Sequence, residues 1–238
     1  VSQTGKIQDD LTFSIQSPTV EELDTAVVDL PKQWCLGLPE NLGREKIHDF
    51  IAARRALWNL LSAPEVCPLG PCPGERLNLC KDANGAPYLT DNTGRKIPAH
   101  ISLSHSNAFG AAAFSCMNQV GIDIESFGAG YPQSLSDGEG LEESEKSRLS
   151  ELGAQTGYGR TALAVLLFSL KEAVFKCLSS DHRSVKTVNS PRIGFELADI
   201  SPYGTAQIET NLGLVECRYI ILGKTVLSLA YSKRRCLE

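Results

Sequence analysis

The stretch TALAVLLFSLKEAVFKCL, residues 161–178, carries the strongest helix signal in the chain. Its large apolar residues recur at helical spacing and form a broad stripe: Leu163, Leu166, Leu167, Leu170, Val174 and Leu178. Lys171, Glu172 and Lys176 interrupt this apolar run, which predicts that one face of the helix opens onto something polar. The alternative is an ordinary surface ion pair between Glu172 and Lys176, which are four residues apart.

Upstream, the segment VGIDIE at residues 120–125 is typical of a strand that ends in acidic residues. Asp123 and Glu125 are two residues apart, so on a strand their side chains share one face and lie about 6.7 Å apart along the chain. Such carboxylates suit a hard cation such as Mg²⁺, which prefers oxygen ligands, and Glu172 is a candidate for the third carboxylate. A solvated acidic strand end is the alternative.

Further upstream, ISLSHS at residues 101–106 places a histidine between hydroxyl side chains at the end of a predicted strand. Ser104, His105 and Ser106 can all donate hydrogen bonds, a composition that suits an anion. A serine nucleophile beside its base is less favoured, because catalytic triads assemble from residues distant in sequence. A polar strand end with satisfied hydrogen bonds is the third interpretation.

Helical and alternating periodicities predict further elements along the chain. The predicted helices lie at residues 46–61, 142–152 and 161–178, and the predicted strands at 76–80, 86–89, 100–104, 111–116, 120–125, 193–197, 214–222 and 225–232. A weak internal repeat relates residues 111–115 to residues 228–232. Together these patterns predict an α+β fold of two similar lobes.

Composition and charge narrow the function classes. The 238 residues are 42% hydrophobic and 21% charged, which is ordinary for a globular protein. A net charge of −5 argues against a dedicated nucleic-acid binder. The longest apolar run, residues 162–168, is far shorter than a membrane span, and the first residues do not resemble a signal peptide. We therefore expect a soluble cytoplasmic protein.

The eight cysteines show no zinc-site spacing. Cys67, Cys72 and Cys80 cluster, but the gaps between them differ from those of common zinc ribbons. Cys116 and Cys177 lie in apolar runs, where a cysteine behaves as a small buried hydrophobe. We expect thiols rather than disulfides or a metal site. A zinc-binding module built on the cluster together with His100 is the alternative.

Taken together, SLSHS at residues 102–106, VGIDIE at 120–125 and FSLKEAVFK at 168–176 resemble the 4′-phosphopantetheinyl transferase superfamily in order and spacing. The resemblance is to its larger single-chain form, which activates peptide synthetases and other carrier proteins. It implies two similar lobes related by pseudo-two-fold symmetry, each an antiparallel sheet packed with a long helix. The implied lobes are 1–118 and 119–238, with the active site in the cleft between them, and the implied state is a monomer.

The implied reaction transfers the 4′-phosphopantetheine group from coenzyme A to a serine of an acyl, peptidyl or aryl carrier protein and releases adenosine 3′,5′-bisphosphate. By the resemblance, Mg²⁺ on the coenzyme's pyrophosphate is held by Asp123, Glu125 and Glu172. The residues implied to contact the coenzyme's phosphates are Arg54, Ser104, His105, Lys171 and Lys176. Arg55 competes with Arg54 for the 3′-phosphate. Glu172 is the favoured base for the serine, a metal-bound water is the alternative, and Lys176 steadies the leaving phosphate.

Two departures from the family pattern and two rival functions stay open. The residue between the two strand acids is Ile124, so the third carboxylate comes from Glu172 or the cation keeps extra waters. The segment NGAP has Ala86 where the family often has a basic residue. That contact is absent or is supplied by Lys81, Arg95 or Lys96. The rival functions are a non-catalytic carrier- or coenzyme A-binding relative and a different Mg²⁺-dependent phosphotransferase. Because residues 126–159 are acidic, as carrier proteins commonly are, we expect the carrier to dock through apolar contacts.

Overall fold

The computed structural model describes residues 2–8, 11–16, 30, 34, 43–63, 76–127, 141, 143–179, 202–210 and 213–232. Within these ranges the chain forms ten strands and three helices, an α+β fold with antiparallel sheets, as predicted. The chain divides into two compact units, Val1–Val120 with Lys233–Glu238, and Gly121–Ser232. The predicted lobe boundary at residue 118 and the pseudo-two-fold relation between the lobes stay predictions.

In the described part of the first unit, the chain forms a four-stranded sheet, a two-stranded ribbon and one long helix, α1, which spans Arg44–Ser62. Its strands are β1 (Ser2–Gln8), β2 (Leu11–Gln16), β3 (Leu77–Lys81), β4 (Pro87–Asp91), β5 (His100–Ser106) and β6 (Phe109–Ser115). The sheet order is β1-β2-β6-β5, and β3 pairs with β4. Strands β5 and β6 form a hairpin whose two turn residues, Asn107 and Ala108, both have positive φ.

Helix α1 packs on the sheet of the first unit through its apolar face. The buried apolar residues include Ile51, Leu57, Leu60 and Leu61. The helix lies so close to β6 that a Cβ built on Gly110 would overlap the backbone of Ala52. Ala63 already has extended backbone, as expected of a residue that precedes Pro64. The restriction that Pro64 places on Ala63 therefore ends α1. The absence of a side chain at Gly110 allows α1 to pack closely on β6.

The second unit contains a four-stranded sheet and two helices. Its strands are β7 (Gln119–Ser126), whose first two residues belong to the first unit, β8 (Tyr203–Thr210), β9 (Gly213–Leu222) and β10 (Thr225–Ser232), in the order β7-β10-β9-β8. The helices are α2 (Glu143–Thr156) and α3 (Arg160–Ser179). Helix α3 lies on β9 and β10, and all six residues of the predicted apolar stripe are buried in the core of this unit. The strongest sequence signal thus forms the centre of the unit.

All three predicted helices are confirmed, with ends that shift by at most four residues. The longest shift extends α2 to Thr156, where the sequence predicted an end at residue 152. None of the helices in the described part of the chain is long and apolar enough to cross a membrane.

The predicted strands that fall in the described ranges are also present, but the sequence patterns miss β1, β2 and β8. Strands β1 and β2 read SQTGKIQ and LTFSIQ, and their polar residues hide the alternation. In β8 the buried apolar residues that the structure describes are Ala206 and Ile208. Its alternation of apolar and polar residues is therefore equally weak. The predicted strand at 193–197 lies outside the described residues.

The described cysteines Cys80, Cys116, Cys177 and Cys217 are thiols rather than disulfide partners, as expected. Burial raises the pKa of the Cys177 thiol to about 12, which keeps it protonated at neutral pH. Cys116 is only partly buried, whereas its apolar run predicted full burial. The other cysteines, Cys35, Cys67, Cys72 and Cys236, lie outside the described residues.

Candidate active site

Strand β7 and helix α3 touch backbone to backbone. A Cβ built on Gly121 would overlap the carbonyl oxygen of Ala173 and the amide nitrogen of Cys177. Asp123 follows Gly121 by two residues on the strand, and Ala173 and Cys177 are the chain neighbours of Glu172 and Lys176 on the helix. The missing side chain at Gly121 therefore lets the VGIDIE and KEAVFK segments meet.

Two carboxylates converge on the ammonium group of Lys176. Its Nζ donates a hydrogen bond to Asp123 Oδ1 at 2.6 Å and lies 3.9 Å from Glu172 Oε2. The Asp123 side chain is only 3% exposed, whereas those of Lys176 and Glu172 are 26% and 19% exposed. The cluster is thus buried on the strand side and reaches solvent on the helix side.

The surroundings of Glu172 disfavour the ionised form of its carboxyl group. Burial raises the pKa of the Glu172 carboxyl, Lys176 lowers it, and the charge of Asp123 raises it again. The net shift is upward, so the ammonium of Lys176 only partly offsets burial and the repulsion from Asp123. An additional positive charge beside these carboxylates would therefore stabilise their ionised forms.

The donor set fits a magnesium ion. Asp123 and Glu172 offer only carboxylate oxygens, and Mg²⁺ is commonly held by one or two carboxylates together with waters and substrate phosphates. Glu125 lies half-buried near the end of β7. Within the described ranges, no three or more His, Cys, Asp or Glu side chains are grouped as a metal site. The structure thus brings together two of the three predicted ligands, with Lys176 between them.

Lys171 is turned away from this cluster. Its side chain is 1% exposed, and its Nζ lies 2.6 Å from Oε2 of Glu145, a residue of α2 whose side chain is 8% exposed. Successive residues of a helix point about 100° apart, so Lys171 and Glu172 face different elements. The sequence gives no hint of Glu145, because it is one of several acidic residues at the start of a helix with a polar composition.

The Ser-His segment ends β5 in the first unit. Ser104 is buried, whereas the His105 side chain is 50% exposed. The His105 Nδ1 atom lies 3.8 Å from Oδ2 of Asp49 on α1, and Asp49 Oδ1 accepts a hydrogen bond of 2.6 Å from the backbone N–H of Ala108 in the adjoining turn. Asp49 therefore fixes the turn that follows the motif, a role that its position in the sequence does not reveal.

Arg54 is buried in the first unit. Its Nε donates to the carbonyl oxygen of Trp34 at 2.8 Å, its Nη1 donates to that of Phe50 at 3.2 Å, and its guanidinium carbon lies 3.0 Å from the centroid of the Phe50 ring. These contacts serve the packing of α1. Arg55, the competing residue, is half-buried.

The basic residues near Ala86 have contacts of their own. Arg95 Nε lies 3.2 Å from Oδ2 of Asp91, and Lys96 Nζ lies 5.1 Å from the centroid of the Tyr88 ring. Lys81 is exposed at the end of β3. The structure thus keeps these three side chains at the surface of the first unit without assigning any of them to the role missing at Ala86.

Residues 119–222 match the family model described as the 4′-phosphopantetheinyl transferase superfamily. The matched range contains the Asp123, Glu172 and Lys176 cluster and ends with β9. No match to the chain was found among curated proteins. The match to the family model covers less than half of the chain, includes two of the three motifs, VGIDIE and FSLKEAVFK, and supports the superfamily predicted from the sequence.

Proposed function

We propose that this protein transfers the 4′-phosphopantetheine group of coenzyme A to a serine of an apo carrier protein of the acyl, peptidyl or aryl type, and that it works as a monomer. The match of residues 119–222 to the superfamily model supports phosphopantetheine transfer in general. The observation that carries the specific proposal is the convergence of Asp123 and Glu172 on Lys176. Opposite charges held side by side suit a substrate that carries a pyrophosphate and its cation.

In the proposed reaction the serine oxygen attacks the phosphorus that bears the pantetheine arm. A new P–O bond forms, the bond to the bridging oxygen of the pyrophosphate breaks, and adenosine 3′,5′-bisphosphate leaves with that electron pair. Asp123 and Glu172, with Glu125 as a third ligand, would hold Mg²⁺. When bound, the ion supplies charge neutralisation to the pyrophosphate.

Glu172 is the proposed acceptor of the serine proton. Burial raises the pKa of the Glu172 carboxyl in the protein alone, whereas a bound cation would lower it again and keep the carboxylate ionised. An ionised carboxylate within hydrogen-bond reach of the serine can accept its proton. Lys176 shares the same helix face and offers its ammonium to the leaving phosphate. Both residues therefore act from one turn of α3.

The first unit is proposed to bind the nucleotide half of the coenzyme. Ser104 and His105 present hydrogen-bond donors at the end of β5, and the exposed His105 is held next to a turn fixed by Asp49. Because Arg54 is buried against Trp34 and Phe50, Arg55 is the better candidate for the 3′-phosphate. This assignment reverses the order in which the sequence ranked the two arginines.

The test is the intact mass of a purified apo carrier protein after incubation with this protein, coenzyme A and Mg²⁺. We expect a gain of one phosphopantetheine group, about 340 Da by covalent modification. A carrier whose acceptor serine is replaced by alanine should gain nothing. Coenzyme A binding without transfer to several carriers would instead indicate a non-catalytic relative, and absence of coenzyme A binding would refute the proposal.

Lys176→Met should raise the affinity of the protein for Mn²⁺ or Mg²⁺ in the absence of coenzyme A. The variant removes the positive charge that now lies 2.6 Å from Asp123, and a nearby like charge disfavours cation binding. We expect about a ten-fold tighter dissociation constant by calorimetry, or about 1.4 kcal/mol.

The matched control is Lys146→Met. Lys146 lies in the same unit and pairs with the exposed Glu143 at 2.7 Å, so its removal should leave metal affinity unchanged. Equal metal affinity in Lys176→Met and the wild type would show that Asp123 and Glu172 are not the cation site.

A further inference from the structure

We propose that Lys171 and Glu145 form a buried positioning pair that fixes the rotation of α3, and that Lys171 acts on the reaction through this pair rather than by contact with phosphate. The inference rests on the proposed function only in that the side chains so positioned, Glu172 and Lys176, are those assigned to the transfer.

Burial is the first argument. Lys171 is among the largest fully buried side chains of the described residues. A buried ammonium is costly unless an opposite charge and hydrogen bonds compensate it, and the carboxylate of Glu145 is 2.6 Å away and itself buried. Around the pair, α2 and α3 contribute to one apolar core that includes Leu149, Leu152 and Leu163. The two charges thus form a buried ion pair inside this core.

Direction is the second argument. Lys171 points toward α2, while its neighbour Glu172 points toward the cluster on β7. Rotation of α3 that brought Lys171 toward the Asp123 cluster would carry Glu172 past it, since the two side chains are about 100° apart on the helix. The same rotation would leave the carboxylate of Glu145 buried without its cation. The pair therefore holds α3 at the rotation in which Glu172 and Lys176 face Asp123.

A second restraint on α3 acts at a different place. The contact at Gly121 limits how close α3 approaches β7, whereas the ion pair with α2 sets how α3 is turned. Distance and rotation of the helix are thus fixed by separate partners. Loss of the ion pair should disturb the rotation while the apolar core keeps the helix in place.

The test is a set of variants at the two positions, studied in the full chain. Lys171→Met and Glu145→Gln each remove one charge of this buried ion pair, so each should lower the denaturation midpoint and reduce kcat at least ten-fold. The charge swap, Lys171→Glu with Glu145→Lys, should recover most of both losses. A lysine that binds phosphate cannot be replaced by a carboxylate, so failure of the swap to recover kcat in a stable protein would overturn the proposal.

A second double variant keeps the test decisive if the single variants do not fold. Lys171→Met with Glu145→Met replaces the pair by apolar groups of similar size, which proteins commonly tolerate. We expect its dissociation constant for coenzyme A to stay within three-fold of the wild type. A ten-fold or greater loss of affinity in this folded variant would identify Lys171 as a phosphate contact and refute the positioning role.

The matched control is the exposed pair Lys146–Glu143 on α2, with an Nζ–Oε1 distance of 2.7 Å. Lys146→Met and Glu143→Gln should have additive, small effects on stability, as surface pairs do. If the wild type binds no coenzyme A, the proposed function fails. The stability coupling between Lys171 and Glu145 is still measured by the same cycle, so the two failures are distinguishable.

Discussion

Glu172→Gln is expected to slow phosphopantetheine transfer by roughly a hundred- to a thousand-fold while the protein stays folded. The amide keeps the size of the side chain but has no negative charge for a cation and accepts no proton from the carrier serine. The rate is measured by the mass gain of the carrier. Glu151→Gln, a change at an exposed glutamate of α2, should leave the rate unchanged.

The same variant should be more stable than the wild type at neutral pH. Burial raises the pKa of Glu172 above its ordinary value of 4.5 in the folded protein. The folded state therefore binds this proton more tightly than the unfolded state, and the free energy of unfolding falls as the pH rises through the raised pKa. Glutamine is neutral at every pH and removes this loss.

The difference in stability between Glu172→Gln and the wild type should therefore shrink as the pH falls below about 4.5, because Glu172 is then protonated in both states. Denaturant midpoints at pH 7 and pH 4 measure this. A variant that transfers at the wild-type rate would remove Glu172 from the roles of ligand and base. A variant less stable than the wild type at pH 7 would show that Lys176 outweighs the burial of Glu172.

Gly121→Ala is expected to destabilise the second unit by about 3 kcal/mol or more, the upper end of what an overpacked site costs. The added Cβ would overlap backbone atoms of Ala173 and Cys177, and backbone atoms cannot rotate away as a side chain can. For a chain of this size the melting temperature should fall by roughly 6 to 12 °C. Transfer by the folded fraction should fall by about a hundred-fold, since a shift of α3 misplaces Glu172 and Lys176.

Gly153→Ala is the matched control for this substitution. Gly153 lies inside α2, and a Cβ there would meet its nearest neighbours at ordinary contact distances of 3.5 and 3.7 Å. The variant should be as stable as the wild type or gain about 0.5 to 1 kcal/mol from helix propensity. Equal stability of the two alanine variants would show that β7 and α3 can separate without cost.

The sequence predicts the elements whose apolar pattern is strong and misses those whose pattern is weak. Helix α3 could be predicted because its apolar stripe repeats at helical spacing. Strand β7 could be predicted because apolar residues precede its acidic residues. Strand β8 has little apolar signal of its own and is held in the sheet by pairing with β9. Pairing partners that are remote in sequence decide such strands.

The same limit applies to the candidate site. The motif shows two lysines on α3, but which of them faces β7 depends on how α3 is turned against its neighbours, and the structure turns Lys176 to Asp123 and Lys171 to Glu145. The role of Asp49 could not be predicted either, because it contacts a turn that lies 59 residues further along the sequence. Spacing within one segment cannot report contacts that tertiary packing creates.

The placement of Lys176 also bears on how the protein behaves before any substrate arrives. Its ammonium gives the buried carboxylate of Asp123 a counter-charge from within the chain, so the burial of that carboxylate does not require an external cation. We therefore expect a chelator added during purification to leave the second unit folded. In the proposed reaction the same side chain would change from an internal counter-ion to a phosphate ligand once coenzyme A binds.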